Sequence, residues 1–99
     1  MSRKLAPVHP GEILREEFLI PMGLSAYAVA GACSVPRTRI ERRAREETPI
    51  TADTALRLGK YFGTPAFWMN LQAQYDLEVA EDGNADELKR IKPLKPKAA

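Results

Sequence analysis

The apolar residues of this chain recur at helical spacing, and residues that begin or end helices separate one run from the next. The strict alternation of apolar and polar residues that marks a half-buried strand does not occur in the sequence. Such a chain has to bury its apolar surface by packing short helices against one another. We therefore expect an all-α fold of five helices without a sheet, in one domain of 99 residues.

Residues with strong positional preferences set the predicted helix ends. Pro10 suits the first turn of the first helix, and Pro21 and Gly23 are expected to end it. Ser25 is a favourable N-cap for the second helix, which runs to about Cys33. The remaining ends are set by residues of the same kinds, namely Pro36, Thr51, Gly63 and Pro65.

The same spacing predicts which side chains are buried. In the second helix the predicted buried residues are Ala28, Val29, Ala32 and Cys33. In the fourth helix they are Ala55, Leu56, Leu58, Gly59 and Phe62. The third helix has only Ile40 and Ala44 as apolar residues. So narrow a stripe leaves most of the third helix facing solvent or a ligand.

Positive charge is concentrated in this third helix. The net charge of the chain is only +2, but residues 37–45, RTRIERRAR, contain five arginines and one glutamate. The second helix, the short SVP segment at 34–36 and the third helix form a helix-turn-helix, a motif that lays its second helix in the major groove of DNA. The arginine guanidinium matches guanine O6 and N7. The segment therefore predicts binding to double-stranded DNA.

A helical wheel assigns positions around the third helix. With Ile40 and Ala44 facing inward, the outward face carries Thr38, Arg42 and Arg45, flanked by Arg37 and Glu41 on one side and by Arg39 on the other. The N-cap residues Ser25 and Thr51 complete the candidate DNA-binding set. The alternative is a solvated face in which Glu41 pairs with Arg37 and Arg45. The acidic residues Glu46 and Glu47 favour that alternative.

Other reactive residues do not form a constellation that would support catalysis. His9 is the only histidine and Cys33 the only cysteine, so we expect His9 to cap or abut the first helix and Cys33 to lie in the core. We expect no enzyme activity, metal, cofactor or small-molecule substrate. No apolar run reaches the ~20 residues of a membrane span, and a single cysteine fits a reducing cytoplasm.

The fifth helix carries an aromatic and aliphatic set, which consists of Phe67, Trp68, Leu71 and Tyr75. Aromatic residues could stack on single-stranded nucleic acid, but this helical spacing favours a core or a dimer interface. The set exceeds what a minimal four-helix core requires, so we expect part of it to contact a second copy of the chain. A homodimer would also supply the two half-site contacts that strong operator binding needs.

Several segments in one order resemble a known family. HPGEILREEFL, LSAYAVA, VPRTRI, ITADTALRLGKYFGT and FWMNLQAQYDLEVA are together similar to the HigA (VapI-type) antitoxins of the Xre/lambda-repressor-like helix-turn-helix group. The resemblance covers about residues 8–80. It implies a five-helix domain that dimerises through its C-terminal part, represses its own operon and neutralises a cognate HigB-type mRNA-cleaving toxin.

The chain departs from the family pattern where DNA contacts would be affected. Ser34 stands where glycine is usual, Ala26 replaces a glutamine, and Arg43 replaces an apolar residue. After the third helix, where the family has a glycine and basic residues, this chain has Glu46, Glu47 and Thr48. Three functions therefore stay open: an antitoxin that is also a repressor, a plain repressor without a toxin partner, and a protein-only antitoxin with weakened DNA binding. For a toxin, we expect contact near Glu12 to Glu17, because a ribonuclease site attracts acidic groups.

Three segments follow from these assignments. We expect residues 1–8 to be a flexible arm, residues 9–80 to form the helix-turn-helix domain with its C-terminal dimerisation helix, and residues 81–99 to be a charged tail.

Overall fold

The computed structural model describes residues 5–95, which contain six helices and no strand. The helices are α1 (residues 10–22), α2 (Ala26–Cys33), α3 (Arg37–Ala44), α4 (Ala52–Phe62), α5 (Pro65–Gly83) and α6 (Ala85–Lys89). The all-helical prediction is confirmed, and α6 is added to the five predicted helices. Because α6 is five residues long and buries none of them, no apolar spacing indicated it. The predicted arm and tail extend outside the described residues, at 1–4 and 96–99.

Helix α1 begins and ends with caps that the sequence indicated. The His9 Nδ1 atom accepts a hydrogen bond of 2.9 Å from the Gly11 N–H, and Pro10 occupies the first turn. At the other end Gly23 adopts the left-handed conformation, with φ of 64°. The predictions for these residues are confirmed. Pro21 lies within the last turn, Ile20–Met22, instead of ending the helix.

A π-helical segment explains how α1 accommodates this proline. Residues Leu14–Leu19 form a wider turn in which the Ile20 N–H donates to the Arg15 carbonyl, five residues earlier. In an α-helix Pro21 would lack its N–H bond, and its ring would collide with the carbonyl of Glu17. The wider π register relieves that collision, so the helix continues past a residue that normally breaks it.

Each of the first five helices contributes at least one fully buried large apolar side chain to the core. These residues are Leu14, Val29, Ile40, Leu58 and Trp68. Phe18 of α1 packs against the Trp68 ring with the centroids 5.0 Å apart, and Phe62 of α4 packs against Phe18 at 4.8 Å. The small helix-turn-helix is therefore built onto an aromatic cluster that joins α1, α4 and α5.

Three alanine and leucine positions predicted to be buried are exposed. Ala28 and Ala32 face solvent, whereas Ala30 lies in the core beside Val29 and Cys33. Helix α2 reads AYAVAGAC and has no charged residue, so its sequence offers no polar face from which to orient the wheel. Leu56, predicted to be buried in α4, is 62% exposed.

A buried glutamine fixes the loop that follows α3. The Ile50 N–H donates a hydrogen bond of 2.7 Å to Gln72 Oε1, and Gln72 Nε2 donates to Asp76 Oδ1 at 2.9 Å. Gln72 is only 5% exposed, so its amide must be satisfied within the protein. The loop between α3 and α4 is therefore fastened to α5.

Gly11 generates a prediction about the packing of α1 on α3. A β-carbon at position 11 would collide with the backbone carbonyl oxygen of Arg43, whereas a β-carbon at Gly31 would meet open space. Gly11→Ala should lower the free energy of unfolding by about 2 kcal/mol through overpacking. Gly31→Ala, the matched control, should raise it by about 0.5–1 kcal/mol because alanine favours a helix interior. Urea unfolding followed by circular dichroism measures both, and a neutral Gly11→Ala would contradict this packing.

Candidate nucleic-acid interface

The turn between α2 and α3 has the geometry that ends a helix and redirects the chain. Ser34 lies in the left-handed region with φ of 58°. The Ser34 N–H donates to the Gly31 carbonyl at 3.3 Å, and the Val35 N–H donates to the Ala30 carbonyl at 3.0 Å. This pair of bonds is a Schellman motif, in which glycine is usual. The predicted helix-turn-helix is confirmed, with serine in a conformation that costs it ~1 kcal/mol.

Helix α3 presents the face that the wheel predicted. Ile40 and Ala44 are buried, while Thr38, Arg42 and Arg45 are exposed. Within residues 5–95 the side chains of Arg42 and Arg45 have no hydrogen-bond or ion-pair partner. Two guanidinium groups are therefore available to an external anion.

The flanking residues Arg37 and Glu41 form one of the two pairs that a solvated face would contain. Arg37 Nε lies 3.4 Å from Glu41 Oε2, and the Arg37 side chain is 60% exposed. An exposed pair of this kind contributes a few tenths of a kcal/mol, so a phosphate could replace the glutamate as the partner of Arg37. The second predicted pair, between Glu41 and Arg45, is not formed in the structure.

Arg39 forms an ion pair at the surface of the protein. Its guanidinium forms an ion pair with Asp53 of α4, and Arg57 Nε donates to the same carboxylate oxygen at 2.9 Å. The hydrogen bonds from Arg57 and then Arg39 lower the pKa of Asp53 below its usual value. Arg39, one of the arginines predicted to contact DNA, therefore joins α3 to α4 through this ion pair.

Arg57, which the sequence analysis did not single out, secures the turn. Its Nη1 atom donates to the carbonyls of Cys33 at 2.9 Å and of Ser34 at 3.2 Å. Carbonyls at the end of a helix lack partners within the helix, so these bonds complete the end of α2. The buried Cys33 thiol lies 3.6 Å from the Arg57 carbonyl, and burial raises the pKa of this thiol. The prediction of Cys33 as a core residue is confirmed.

A second Schellman motif ends α3, with Glu46 where glycine is usual. Glu46 has φ of 65°, its N–H donates to the Arg43 carbonyl, and the Glu47 N–H donates to the Arg42 carbonyl. Arg15 of α1 donates to the Ala44 carbonyl and, at 3.1 Å, to the Glu46 carboxylate. The acidic charge of Glu46 is therefore partnered within the protein.

The two N-cap residues lie at exposed helix starts. Ser25 Oγ accepts from the Ala28 N–H at 3.0 Å, and Thr51 Oγ1 accepts from the Thr54 N–H at 3.4 Å. The caps of α2 and α4 are as predicted. Free backbone N–H groups and the helix dipole favour anions at such positions. Phosphate contact by these residues stays a prediction.

Comparison with known proteins assigns the family. Virulence-associated protein I of Dichelobacter nodosus is 56% identical over 81 residues, which cover 81% of this chain and 75% of that protein. Antitoxin HigA-1 of Vibrio cholerae is 38% identical over 92 residues, covering 92% of this chain and 87% of that protein. The solved structure of Pseudomonas aeruginosa antitoxin HigA with the higBA promoter superposes with a TM-score of 0.83 at 45% identity, covering 90% of this chain and 99% of that one.

This chain belongs to the HigA antitoxin family. No protein-family profile matches it. Within residues 5–95 of this HigA-family protein, no group of three or more histidine, cysteine, aspartate or glutamate side chains is placed to hold a metal ion. None of the described helices has both the length and the apolar character that crossing a bilayer requires.

The predicted dimer residues of this HigA-family protein are partly used within one chain. Trp68 is fully buried, Leu71 packs on the core, and Tyr75 meets the His9 ring with centroids 4.9 Å apart. Phe67 is 37% exposed and is the most accessible of the four. Trp68 therefore cannot contact a second copy directly, because its side chain is buried within one chain. The dimer interface stays a prediction.

Arg43, which departs from the family pattern, lies at the edge of the core. It is half-buried, and its Nη1 atom donates to the Arg39 carbonyl at 3.1 Å. Its Nε atom is buried without a hydrogen-bond partner in the described part of the chain. Burial, aided by repulsion from Arg39, lowers the pKa of the Arg43 guanidinium.

Arg43→Leu should therefore raise the free energy of unfolding by about 1 kcal/mol, because an unsatisfied buried donor is removed and an apolar contact is gained. For a domain of this size that gain corresponds to a rise in Tm of roughly 4–8 °C. The exposed Arg42 supplies the matched control, since Arg42→Leu should change stability by less than about 0.5 kcal/mol. Thermal unfolding of both variants is the measurement, and a loss of stability in Arg43→Leu alone would show that the guanidinium is well accommodated.

Proposed function

We propose that this protein is an antitoxin that binds operator DNA as a dimer, represses its own operon and neutralises a HigB-type mRNA-cleaving toxin. The observation that carries the proposal is the exposed face of α3, where the side chains of Arg42 and Arg45 have no partner within residues 5–95. Its support from relatives is the structure of Pseudomonas aeruginosa antitoxin HigA with the higBA promoter. Helix α3 is then the recognition helix of the motif.

The position of each residue along α3 suggests its role. Arg37 and Thr38 lie in the first turn, the part of a recognition helix that usually meets base edges. Arg42 lies one turn later on the outward face, within reach of the same groove. Arg45 caps the C-terminal end, where the helix leaves the groove, so it is suited to phosphate.

Dimerisation is proposed through the outward side of the C-terminal helices. Leu77 of α5, Leu88 of α6 and Ile91 are exposed and line one groove of about 570 Å³. The proximity of these three exposed apolar residues on one groove supports its use as the surface that a second copy covers. A second copy on this groove would give the dimer that contact with two half-sites requires.

Operator binding has a direct test in two arginine variants. Arg42→Ala should cost ~1–3 kcal/mol on the operator and relax the preference at one base pair, because a bidentate base contact is lost. Arg45→Ala should weaken binding to operator and scrambled DNA alike and reduce the salt slope by about one unit, because a phosphate contact is lost. Titrations of both DNAs at several salt concentrations provide the measurement.

Footprinting completes this test. A symmetric dimer should protect an inverted repeat with half-sites roughly 10 bp apart or a multiple of that. If Arg42→Ala and Arg45→Ala each lost the same affinity for operator DNA as for scrambled DNA, α3 would not be the helix that reads the base sequence. Absence of any operator protection would leave a protein-only antitoxin.

The proposed toxin contact is the acidic side of α1. Glu12, Glu16 and Glu17 are exposed, and only Glu16 has a side-chain partner among the described residues, namely Arg15. An acidic surface complements a ribonuclease, whose RNA site must be basic.

Glu12→Lys combined with Glu17→Lys should therefore weaken neutralisation when the antitoxin is co-expressed with the product of the adjacent gene, because like charges would meet. Asp86→Lys on α6 is the matched control and should still restore growth. Growth measurements and co-purification provide the readouts. Full rescue by the double variant would exclude this face, and failure of the unaltered protein to rescue growth would favour a plain repressor.

A further inference from the structure

The contacts at the C-terminal end of α3 hold that end in place as well as stabilising the helix. Helix α3 has eight residues, about 12 Å in length at 1.5 Å per residue, and only two of them are buried. Besides the buried Ile40 and Ala44 and the ion pair between Arg39 and Asp53, the tilt of α3 depends on the contacts that hold its two ends. The N-terminal end is held through the turn that Arg57 secures.

Helix α1 holds the other end at two points. Gly11 lies against the Arg43 carbonyl so closely that no side chain fits there, and Arg15 Nη1 donates to the Ala44 carbonyl. Gly11 and Arg15 are four residues apart and touch the carbonyls of consecutive residues of α3. One face of α1 therefore supports the last turn of the recognition helix.

The guanidinium group of Arg15 also donates hydrogen bonds to two carboxylates. Its Nε atom donates to Glu16 Oε2 at 2.9 Å, and its Nη2 atom donates to Glu46 Oε2 at 3.1 Å. Three different nitrogen atoms thus hold three different oxygen atoms, an arrangement that the planar guanidinium allows and a lysine ammonium on a flexible stem does not reproduce. This set of contacts therefore depends on the planar shape of the guanidinium as well as on its charge.

We propose that Arg15 is a positioning residue for DNA reading, because it fixes the end of α3 and so sets the angle at which the recognition helix enters the groove. This inference rests on the proposed operator binding. Arg15 acts through the Ala44 carbonyl and the Glu46 carboxylate, and it contributes to sequence specificity without touching a base. A small rotation of α3 would move the Arg42 guanidinium away from its base while leaving phosphate contacts in reach.

The test compares Arg15→Gln, which keeps the stem but loses the charge, with Arg15→Lys, which keeps the charge but loses the fork. Arg90→Gln is the matched control, because it makes the same change at an exposed arginine that follows α6 and has no contact with α3. Affinity for operator and for scrambled DNA is measured at several salt concentrations, together with Tm. We expect both Arg15 variants to lose about tenfold in the ratio of operator to scrambled affinity, with an unchanged salt slope. The control should keep the wild-type ratio.

Two other outcomes would overturn the proposal. A salt slope lower by about one unit in Arg15→Gln, with equal losses on both DNAs, would mean that Arg15 contacts phosphate itself. A lower Tm with equal losses on both DNAs and an unchanged salt slope would mean a purely structural role.

A measurement without DNA separates this proposal from the proposed function. In two-dimensional NMR spectra of the free protein, Arg15→Gln should shift the backbone amides of residues 42–47 and spare those of residues 26–33. Shifts confined to α1 would overturn the positioning role whether or not the protein binds DNA. If the wild-type protein shows no operator preference, the proposed function fails, and the amide shifts alone decide whether Arg15 orients α3.

Discussion

The carbonyl groups that end the two helices of the motif are satisfied by arginines from outside it. Arg57 of α4 donates to the carbonyls that end α2, and Arg15 of α1 donates to the carbonyl of Ala44 at the end of α3. A hydrogen bond from a charged donor to such an orphan carbonyl is worth roughly 1.5–3 kcal/mol, more than most contacts that an eight-residue helix can make. In the proposed function, the orientation of the surface that would meet DNA therefore depends on two side chains that do not belong to the helix-turn-helix.

This arrangement divides the arginines of a weakly charged protein between two tasks. Arg39 and Arg57 share Asp53, and Arg15 is paired with Glu16 and Glu46, so their charges are compensated where they hold helices together. The exposed side of α3 keeps charge that no carboxylate in the described chain neutralises. A net charge of +2 is thereby sufficient for a locally positive surface, because Arg42 and Arg45 remain unpaired on the same face of α3.

The sequence predicted the features that depend on neighbouring residues. Caps at His9, Ser25 and Thr51 and the inward side of α3 follow from short spacings, and the structure has them as predicted. The contacts of Arg15 join it to residues that lie 29 and 31 positions further along the sequence, and no local pattern indicates such contacts. A helical wheel also could not show which side of α2 is buried, because this helix has no polar side. The prediction that Pro21 ends α1 was wrong because a π-helical turn removes the clash that the rule assumes.

The central claim is that the exposed face of α3 reads bases in the major groove. Dimethyl sulfate modifies guanine at N7, which faces the major groove, and adenine at N3, which faces the minor groove, so protection of operator DNA by this protein distinguishes the two. The account predicts protected guanine N7 positions in both half-sites, with the protection at one base pair lost in Arg42→Ala. Protection of adenine N3 alone, or guanine protection that Arg42→Ala leaves unchanged, would contradict it.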